Sequence, residues 1–270
     1  MNNNISKIKY GPWALITGGT SGIGRAFAEQ LAQKGLNLIL VARRKALLEK
    51  ASTEISTQYG VDVRYIQADL SDPAAVQLIK DETAELDIGL FIPNAGVENH
   101  GEFMYGDVDS ETRLLQLNSM SPMQLAHHFG QKMVNRRQGG IIFLATTIGY
   151  GGTPYFSNYA ASKAYILTLG EGLYYELKSK GVDVTVLSPG GTDTPMAENI
   201  GFDMKKSPMP IMTADETASA GLNALGIKPS VIPGFQNNIM AFMGKRIMSR
   251  KANVHLFGGM MRKMLRIEES

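Results

Sequence analysis

The sequence predicts a single-domain α/β fold: a doubly wound parallel sheet with helices on both faces. Short apolar runs, several of them rich in β-branched residues, alternate with longer stretches that have helical spacing. The predicted strands are Trp13–Thr17, Leu36–Ala42, Val63–Ala68, Gly89–Pro93, Ile141–Thr146 and Val182–Ser188. The predicted helices are Ile23–Lys34, Ala46–Tyr59, Pro73–Leu86, Ser110–Arg136 and Ser157–Lys180. No linker or internal repeat divides the chain, so we expect one domain over residues 1–270.

Local signals justify several of these elements in turn. The first strand enters a glycine-rich turn, and the helix that follows ends before Gly35, a residue suited to a C-terminal stop. Asp72-Pro73 marks the start of the third helix, because proline fits the first helical position. Several of the runs are apolar throughout, as expected of strands buried on both faces. The regular alternation fades after about Thr194, which leaves the last part of the chain for other roles.

Composition excludes several classes of protein. A net charge of +2 gives no reason to expect nucleic-acid binding, and no apolar run is long enough to span a membrane. The chain has no cysteine, so disulfides and thiolate metal sites are excluded. Its four histidines lack the spacing of metal ligands, so we expect no metal site. The polar N-terminus lacks the apolar core of a signal peptide, and we expect a cytoplasmic protein.

A glycine-rich turn between the first strand and the first helix predicts a nucleotide-binding site of the Rossmann type. Glycines let the backbone approach a pyrophosphate, and the helix N-terminus offers free N–H groups with a partial positive charge. The candidate cofactor residues of this turn are Gly18, Thr20, Ser21, Gly22, Ile23 and Gly24. A purely structural turn is the alternative, but its place in the strand–helix alternation favours the nucleotide.

The end of the second strand predicts which dinucleotide binds. An enzyme that uses NAD usually has an acid at this point for the ribose 2′-hydroxyl, whereas this chain has Ala42 followed by Arg43 and Arg44. A guanidinium suits a 2′-phosphate, and an acid would repel it. We therefore predict NADP(H), with Arg43 as the better candidate; in the alternative, both arginines are solvated loop residues.

Three side chains predict proton transfer to a carbonyl. Tyr159 and Lys163 lie four residues apart on a predicted helix and therefore share one face. The ammonium favours the phenolate, so we expect it to lower the pKa of the tyrosine, which can then donate and accept a proton. Thr146, thirteen residues before Tyr159 at the end of an apolar run, offers a hydroxyl that can hold a carbonyl oxygen.

Together these motifs resemble the short-chain dehydrogenase/reductase family in its ordinary, non-extended form, over about Pro12 to Thr194. The resemblance implies that Asp69, with Leu70 beside it, receives the adenine, and that Asn94-Ala95-Gly96 braces the sheet beside the cofactor. It implies that Asn118 is the catalytic asparagine and fixes a water, and that Lys163 also binds the nicotinamide ribose. It implies that the nicotinamide meets the turn formed by Pro189, Gly190, Thr192 and Thr194. Within the family, the chain is most similar to bacterial DltE-like proteins and to hydroxysteroid and 3-ketoacyl reductases.

The chain departs from the family pattern at two places. Thr146 stands where the family has its catalytic serine, so we expect reduced or narrowed activity, because the added methyl stiffens the side chain. Thr147 is the alternative if the strand register differs. Many members end with a strand followed by Asp-Gly-Gly, whereas Ile232-Pro233-Gly234 stands here, which puts the usual tetramer contact in doubt. We still expect a homo-oligomer, either a dimer or a tetramer.

The last part of the chain predicts an apolar substrate. Residues 195–212 should form a lid rich in methionine, a side chain that adapts to irregular shapes. By family geometry, Val97, Phe103, Tyr150 and Tyr155 should line the same pocket. The extension 236–270 is basic and amphipathic; it packs on its own core or a sister subunit, contacts a membrane surface peripherally, or binds an acidic ligand such as an acyl-carrier protein.

The predicted function is therefore an NADP(H)-dependent oxidoreductase that moves a hydride between the nicotinamide and a carbonyl or secondary alcohol. The predicted substrate is a small lipophilic ketone, 3-ketoacyl or hydroxysteroid-like. Two alternatives remain: a catalytically weak NADPH-binding regulator, which only Thr146 favours, and a membrane-surface protein that acts through its basic tail.

Overall fold

The computed structural model describes residues 5–196, 211–265 and 267 of the chain. Within these residues the fold is a single parallel sheet of the order β3-β2-β1-β4-β5-β6-β7, with helices on both faces. The strands are β1 (Trp13–Thr17), β2 (Asn37–Ala42), β3 (Val63–Gln67), β4 (Ile88–Pro93), β5 (Gly139–Leu144), β6 (Val182–Leu187) and β7 (Ser230–Val231). The predicted fold class is confirmed, and the two-residue β7 is an addition to the predicted strands.

The α-helices either pack on the two faces of the sheet or follow its last strand. In chain order they are α1 (Lys7–Tyr10), α2 (Gly22–Ala32), α3 (Lys45–Tyr59), α4 (Ala74–Glu82), α5 (Val108–Leu115), α6 (Ser121–Arg136), α7 (Ser157–Lys178), α8 (Ala214–Ala224), α9 (Phe235–Phe242) and α10 (Arg250–Leu265). In the described part of the chain, no helix is long and apolar enough to cross a membrane.

The prediction of a helix over Ser110–Arg136 is confirmed, but the helix is not of the α type throughout. A π-helical segment, Gln116–Met120, separates α5 from α6, and the Ser121 N–H bonds to the Gln116 carbonyl. Proline at position 122 has no N–H, so the α-type hydrogen bond to the Asn118 carbonyl cannot form. The helix therefore widens at Asn118, a residue of the candidate site, and π segments of this kind are frequent at functional sites.

Two apolar clusters cover the two faces of the sheet. Neighbouring strand residues point to opposite faces, so Leu15 belongs to one cluster and Ile16 to the other. The first cluster includes Phe129 of α6 and Ile166 of α7, and the second includes Phe27 of α2. Both faces are thereby buried at the central strands β1, β4 and β5, as their continuous apolar runs predict, whereas most of the edge strand β3 is exposed.

The topology fixes where a site can form. Because β1 pairs with both β2 and β4, the connections after β1 and β4 leave the sheet in opposite directions. Ligands of such sheets bind in the crevice at the carboxyl ends of the strands, at this switch point. The segments that follow β1, β2, β4, β5 and β6 all leave from that edge.

The C-terminal helices return to this edge. A Cβ at Gly258 of α10 would lie 3.2 Å from Cγ of Pro154, and a Cβ at Gly152 would lie 3.3 Å from a methyl of Val254. Arg262 Nε donates a hydrogen bond to the Tyr155 hydroxyl at 3.3 Å. The extension therefore packs on the loop over residues 151–155, which follows β5 and precedes α7. This is one of the arrangements that the sequence left open.

Candidate active site

A cavity of about 640 Å³ lies at the carboxyl edge of the sheet and collects most of the predicted site residues. The predicted residues in its wall are Gly18, Thr20, Ser21, Gly22, Ile23, Arg43, Arg44, Leu70, Asn94, Ala95, Gly96, Thr146, Tyr159, Lys163, Pro189, Gly190, Thr192 and Thr194. Three predicted residues, Gly24, Asp69 and Asn118, lie outside that wall. Segments remote in sequence therefore meet in one cavity.

The glycine turn forms a cradle that larger residues would fill. Gly18 has φ +69°, which favours glycine, and a Cβ there would lie 2.9 Å from Nδ2 of Asn94. A Cβ at Gly24 would collide with the Gly18 carbonyl oxygen. Asn94 Nδ2 in turn donates to the Thr17 carbonyl at 3.0 Å and to the Gly18 carbonyl at 3.3 Å. The turn thus fits a pyrophosphate at the start of α2, with Gly24 acting through packing.

Arg43 lies beyond the end of β2, in the wall of the cavity and largely exposed. Its Nη1 is 3.9 Å from Oδ2 of Asp69, whose Oδ1 accepts hydrogen bonds from the Ser71 N–H and hydroxyl. Burial opposes ionisation of Asp69, but these two hydrogen bonds and the charge of Arg43 outweigh it and lower the pKa of Asp69. The contact between Arg43 and Asp69 is long and exposed, so the guanidinium can turn toward a phosphate.

Tyr159 borders the cavity, and its environment differs from the expectation. Burial, followed by the charge of Glu98, raises the pKa of Tyr159 above its ordinary value. The expectation that Lys163 lowers the pKa of Tyr159 is wrong. Desolvation disfavours the phenolate, and Lys163 Nζ lies 5.9 Å from the centre of the Tyr159 ring. The phenol is therefore protonated at neutral pH, the form in which it donates a proton.

Lys163 is buried on the same helix face, one turn after Tyr159. Burial lowers the pKa of Lys163 to about 8, and its Nζ donates a hydrogen bond to the Leu144 carbonyl at 3.1 Å. A Cβ at Gly96 would lie 3.3 Å from Nζ and 3.4 Å from Oδ1 of Asn118, so the glycine lets both side chains approach. The ammonium is charged at neutral pH, yet close to its titration range.

Asn118 lies behind the cavity wall and braces it. Its Oδ1 accepts the Val97 N–H at 3.0 Å, while its Nδ2 donates to the Val97 carbonyl at 2.8 Å and to the Ser162 hydroxyl at 3.2 Å. The side chain is therefore committed to protein partners, and the expectation that Asn118 fixes a water stays a prediction. Because Pro122 has no N–H, the Asn118 carbonyl lacks the usual α-helical partner.

Thr146 follows β5 and lies in the cavity wall, beside Thr147. Its hydroxyl donates a hydrogen bond to the Pro189 carbonyl at 3.1 Å, and the Thr147 N–H bonds to the same oxygen at 2.9 Å. Both threonines border the cavity, because the strand ends at Leu144 and a 3-10 turn starts at Thr147. The sequence offered Thr147 only as an alternative to Thr146, whereas the structure brings both threonines to the cavity wall.

The far side of the cavity comes from the C-terminal extension, which sequence reasoning did not assign to the site. Its contributors are Asn237, Met240, Ala241, Met243, Gly244, Met248, Asn253, Leu256, Phe257, Met260, Met261 and Met264. Phe257, Met260 and Met264 are three and four residues apart, so they share one face of α10. That spacing was the available signal, but it does not say which surface the face covers.

The residues predicted to line the substrate pocket are only partly found in the cavity wall. Val97, Tyr150 and Met196 line the cavity, but Phe103 is half exposed and, like Tyr155, lies outside its wall. Tyr155 instead accepts the hydrogen bond from Arg262. Residues 197–210 of the predicted lid lie outside the described residues. The predicted lid therefore contributes Pro195 and Met196 to the described wall.

The doubly wound sheet, the glycine cradle and the Tyr159–Lys163 pair in one cavity define a nucleotide-binding oxidoreductase fold. The sequence profile of the short chain dehydrogenase family matches residues 12–205, and the chain belongs to that family.

Several proteins similar to the chain are named as dehydrogenases. The chain is 32% identical over 229 residues to a 7beta-hydroxysteroid dehydrogenase of Clostridium sardiniense, covering 85% of this chain and 88% of the relative. A structure from a study of 7beta-hydroxysteroid dehydrogenase stereoselectivity superposes with a TM-score of 0.88 at 28% identity, covering 93% of this chain and 98% of the other. A short-chain dehydrogenase from Sphingobium yanoikuyae in complex with NADPH superposes with a TM-score of 0.77 at 29% identity, covering 96% and 98%.

Proposed function

We propose that the protein is an NADP(H)-dependent oxidoreductase that reduces a lipophilic ketone to a secondary alcohol. The observation that carries the proposal is the meeting of Thr146, Tyr159 and Lys163 in the cavity that begins at the glycine turn. NADPH, when bound, supplies the hydride, and the protein supplies orientation, charge and the proton.

Tyr159 and Thr146 would act on the carbonyl oxygen. Negative charge grows on that oxygen as the carbonyl is reduced, and hydrogen bonds aimed there stabilise the transition state. Tyr159 would donate the proton, and its raised pKa keeps that proton available at neutral pH. Thr146 would hold the same oxygen, for which its hydroxyl must turn away from the Pro189 carbonyl.

Lys163 and Asn118 would support this pair. The Lys163 ammonium favours the phenolate that forms when Tyr159 gives up its proton. Lys163 would also bind the ribose of the nicotinamide. The Asn118 carbonyl would hold a water that relays a proton to Lys163. Cells hold NADP(H) mostly reduced, so we infer that carbonyl reduction is the direction in the cell; the protonated Tyr159 phenol is the form that this direction uses.

The choice of NADP(H) over NAD(H) rests on Arg43 and Arg44. Both border the cavity after β2, where an acid would otherwise bind the ribose hydroxyl. The superposed Sphingobium protein in complex with NADPH supports the same choice. The glycine turn would hold the pyrophosphate, Asp69 and Leu70 the adenine, and Asn94–Gly96 with Pro189, Gly190, Thr192 and Thr194 the nicotinamide half.

The substrate proposal rests on the apolar wall built by the extension. Methionine, leucine and phenylalanine side chains of α9 and α10 face the cavity, and such a wall favours an apolar molecule over a sugar. Likeness to a hydroxysteroid dehydrogenase favours a polycyclic ketone as the first choice. A 3-ketoacyl thioester is the second class to test. Closeness to DltE-like proteins, a cytoplasmic location and a homo-oligomeric state stay predictions.

Replacing Tyr159 by Phe tests the function. NADPH binding is measured by fluorescence, and NADPH oxidation is followed with ketosteroids, 3-ketoacyl thioesters and small ketones. We expect turnover of lipophilic ketones by the wild type, and for Tyr159→Phe an unchanged NADPH affinity with turnover lowered by at least about 10². Unchanged turnover would reject the role of Tyr159. NADPH binding without turnover on the whole panel would favour the regulator instead.

A further inference from the structure

The outer surface of the C-terminal extension combines exposed apolar side chains with positive charge. We call this the tail surface: Phe235, Ile239, Phe242, Ile247, Arg246, Arg250 and Lys251. Phe235, Phe242 and Ile247 are 80%, 58% and 67% exposed. Phe235, Ile239 and Phe242 are four and three residues apart and therefore share one face of α9.

The charge of the segment has one sign. Residues 235–267 contain no aspartate or glutamate. Within the described residues, none of the three cations of the tail surface forms an ion pair, and no acidic residue of the segment is present to compensate them. A solvated helix face usually mixes charges of both signs. This surface carries uncompensated positive charge next to exposed phenylalanine and isoleucine.

The tail surface adjoins the cavity along the chain. Met240 and Met243 line the cavity, and their exposed fractions are 45% and 48%. In the sequence they alternate with Ile239, Phe242 and Ile247 of the tail surface. An apolar molecule that reaches this surface can therefore enter the cavity along side chains of the same character.

We propose that the tail surface docks on an anionic lipid bilayer and loads a lipophilic substrate from it. Basic amphipathic helices lie in the membrane interface, with apolar side chains buried at the acyl boundary and cations at the anionic headgroups. Charge decides against a second copy of the chain as the occupant, because a symmetric contact would bring two positively charged surfaces together. The loading step rests on the proposed function; the docking step does not.

Co-sedimentation of the full-length protein with vesicles tests the docking. The vesicles are phosphatidylcholine alone or phosphatidylcholine mixed with phosphatidylglycerol, at low and high salt. We expect binding to the anionic vesicles, weakened by salt, and weak binding to the neutral ones. Arg246→Glu with Arg250→Glu should lower partitioning at least about thirtyfold. Phe242→Ser with Ile247→Ser should lower it as well.

Matched controls carry the same changes elsewhere. Lys7→Glu with Lys180→Glu reverses two exposed cations outside the tail surface, and Tyr175→Ser removes an exposed apolar side chain of α7. Both controls should bind vesicles as the wild type does. Equal binding by the Arg246/Arg250 variant and the wild type would overturn the proposal, as would the absence of wild-type binding. A loss of dimer in the Phe242/Ile247 variant, without a change in vesicle binding, would assign the surface to a second copy instead.

Turnover separates docking from the proposed function. None of the four substituted tail residues lines the cavity, so turnover of a water-soluble ketone should be the same in all variants. Turnover of a lipophilic ketone dissolved in the vesicles should fall in the two tail variants and stay unchanged in the controls; an equal rate in every variant would reject loading. A wild type that turns over neither ketone would reject the proposed function, while co-sedimentation would still decide the docking.

Discussion

The buried ammonium of Lys163 predicts a pH dependence of the reaction. Burial lowers the pKa of Lys163 to about 8, whereas the pKa of Tyr159 is raised and leaves the neutral range. A group with a pKa of about 8 is charged in about nine tenths of the molecules at pH ~7 and in about one tenth at pH ~9. If the reaction needs the ammonium, kcat/KM should fall about tenfold between these pH values.

The assay is kcat/KM for NADPH at each pH, because this ratio reports the pKa values of the free enzyme. Lys163→Arg supplies the matched variant, since a guanidinium keeps its charge to beyond pH ~12. Its rate should be lower than that of the wild type but constant over this range. Lys163→Met should be slow at every pH. A fall at the same pH in Lys163→Arg would refute the reasoning, because another group would then be titrating.

Three further predictions follow from the site. Arg43→Ala should weaken NADPH binding by about 10- to 100-fold through loss of charge-assisted hydrogen bonds and leave NADH binding unchanged; equal losses for both would contradict the cofactor assignment. Gly18→Ala should lower both Tm and NADPH affinity, because strain and overlap cost about 1–3 kcal/mol. Gly172→Ala, on an open helix surface, should lower neither. Similar effects of the two substitutions would contradict the role of the glycine turn as a cradle. Thr146→Ser should raise kcat, because the smaller side chain turns from Pro189 more freely, and Thr146→Val should lower it by about 10²; equal kcat values for the two variants would remove the hydroxyl from the mechanism.

The sheet and the nucleotide half of the cavity were predictable because they follow from local patterns. Apolar runs such as Trp13–Thr17 mark strands wherever they stand in the chain, and parallel strands bring the ends of these runs to one edge. The turn at Gly18, the arginine at 43 and the Tyr159–Lys163 pair therefore had to meet there. No knowledge of packing was needed to place them.

The remaining features depend on contacts that local patterns do not show. To predict the π segment at Asn118, one must notice that Pro122 has no N–H to bond to the Asn118 carbonyl. The pKa of Tyr159 depends on burial and on Glu98, which is distant in sequence, so spacing from Lys163 gave the wrong sign. From the sequence, the extension could have packed on its own core or a sister subunit, contacted a membrane surface or bound an acidic ligand; its contact with the loop at 151–155 appears only in three dimensions.

The wall that α9 and α10 give to the cavity lies apart from the groups that carry the proposed chemistry. The reacting groups are fixed on the sheet edge and on α7, where any substitution disturbs packing on several sides. The opposite wall is made by a terminal appendage whose outer residues are open to solvent. Substitutions in α9 and α10 can therefore change the preference for one apolar molecule over another without altering Thr146, Tyr159 or Lys163. Exchanging the segment that contains α9 and α10 between relatives would change the substrate preference and leave the residues of the proposed chemistry in place.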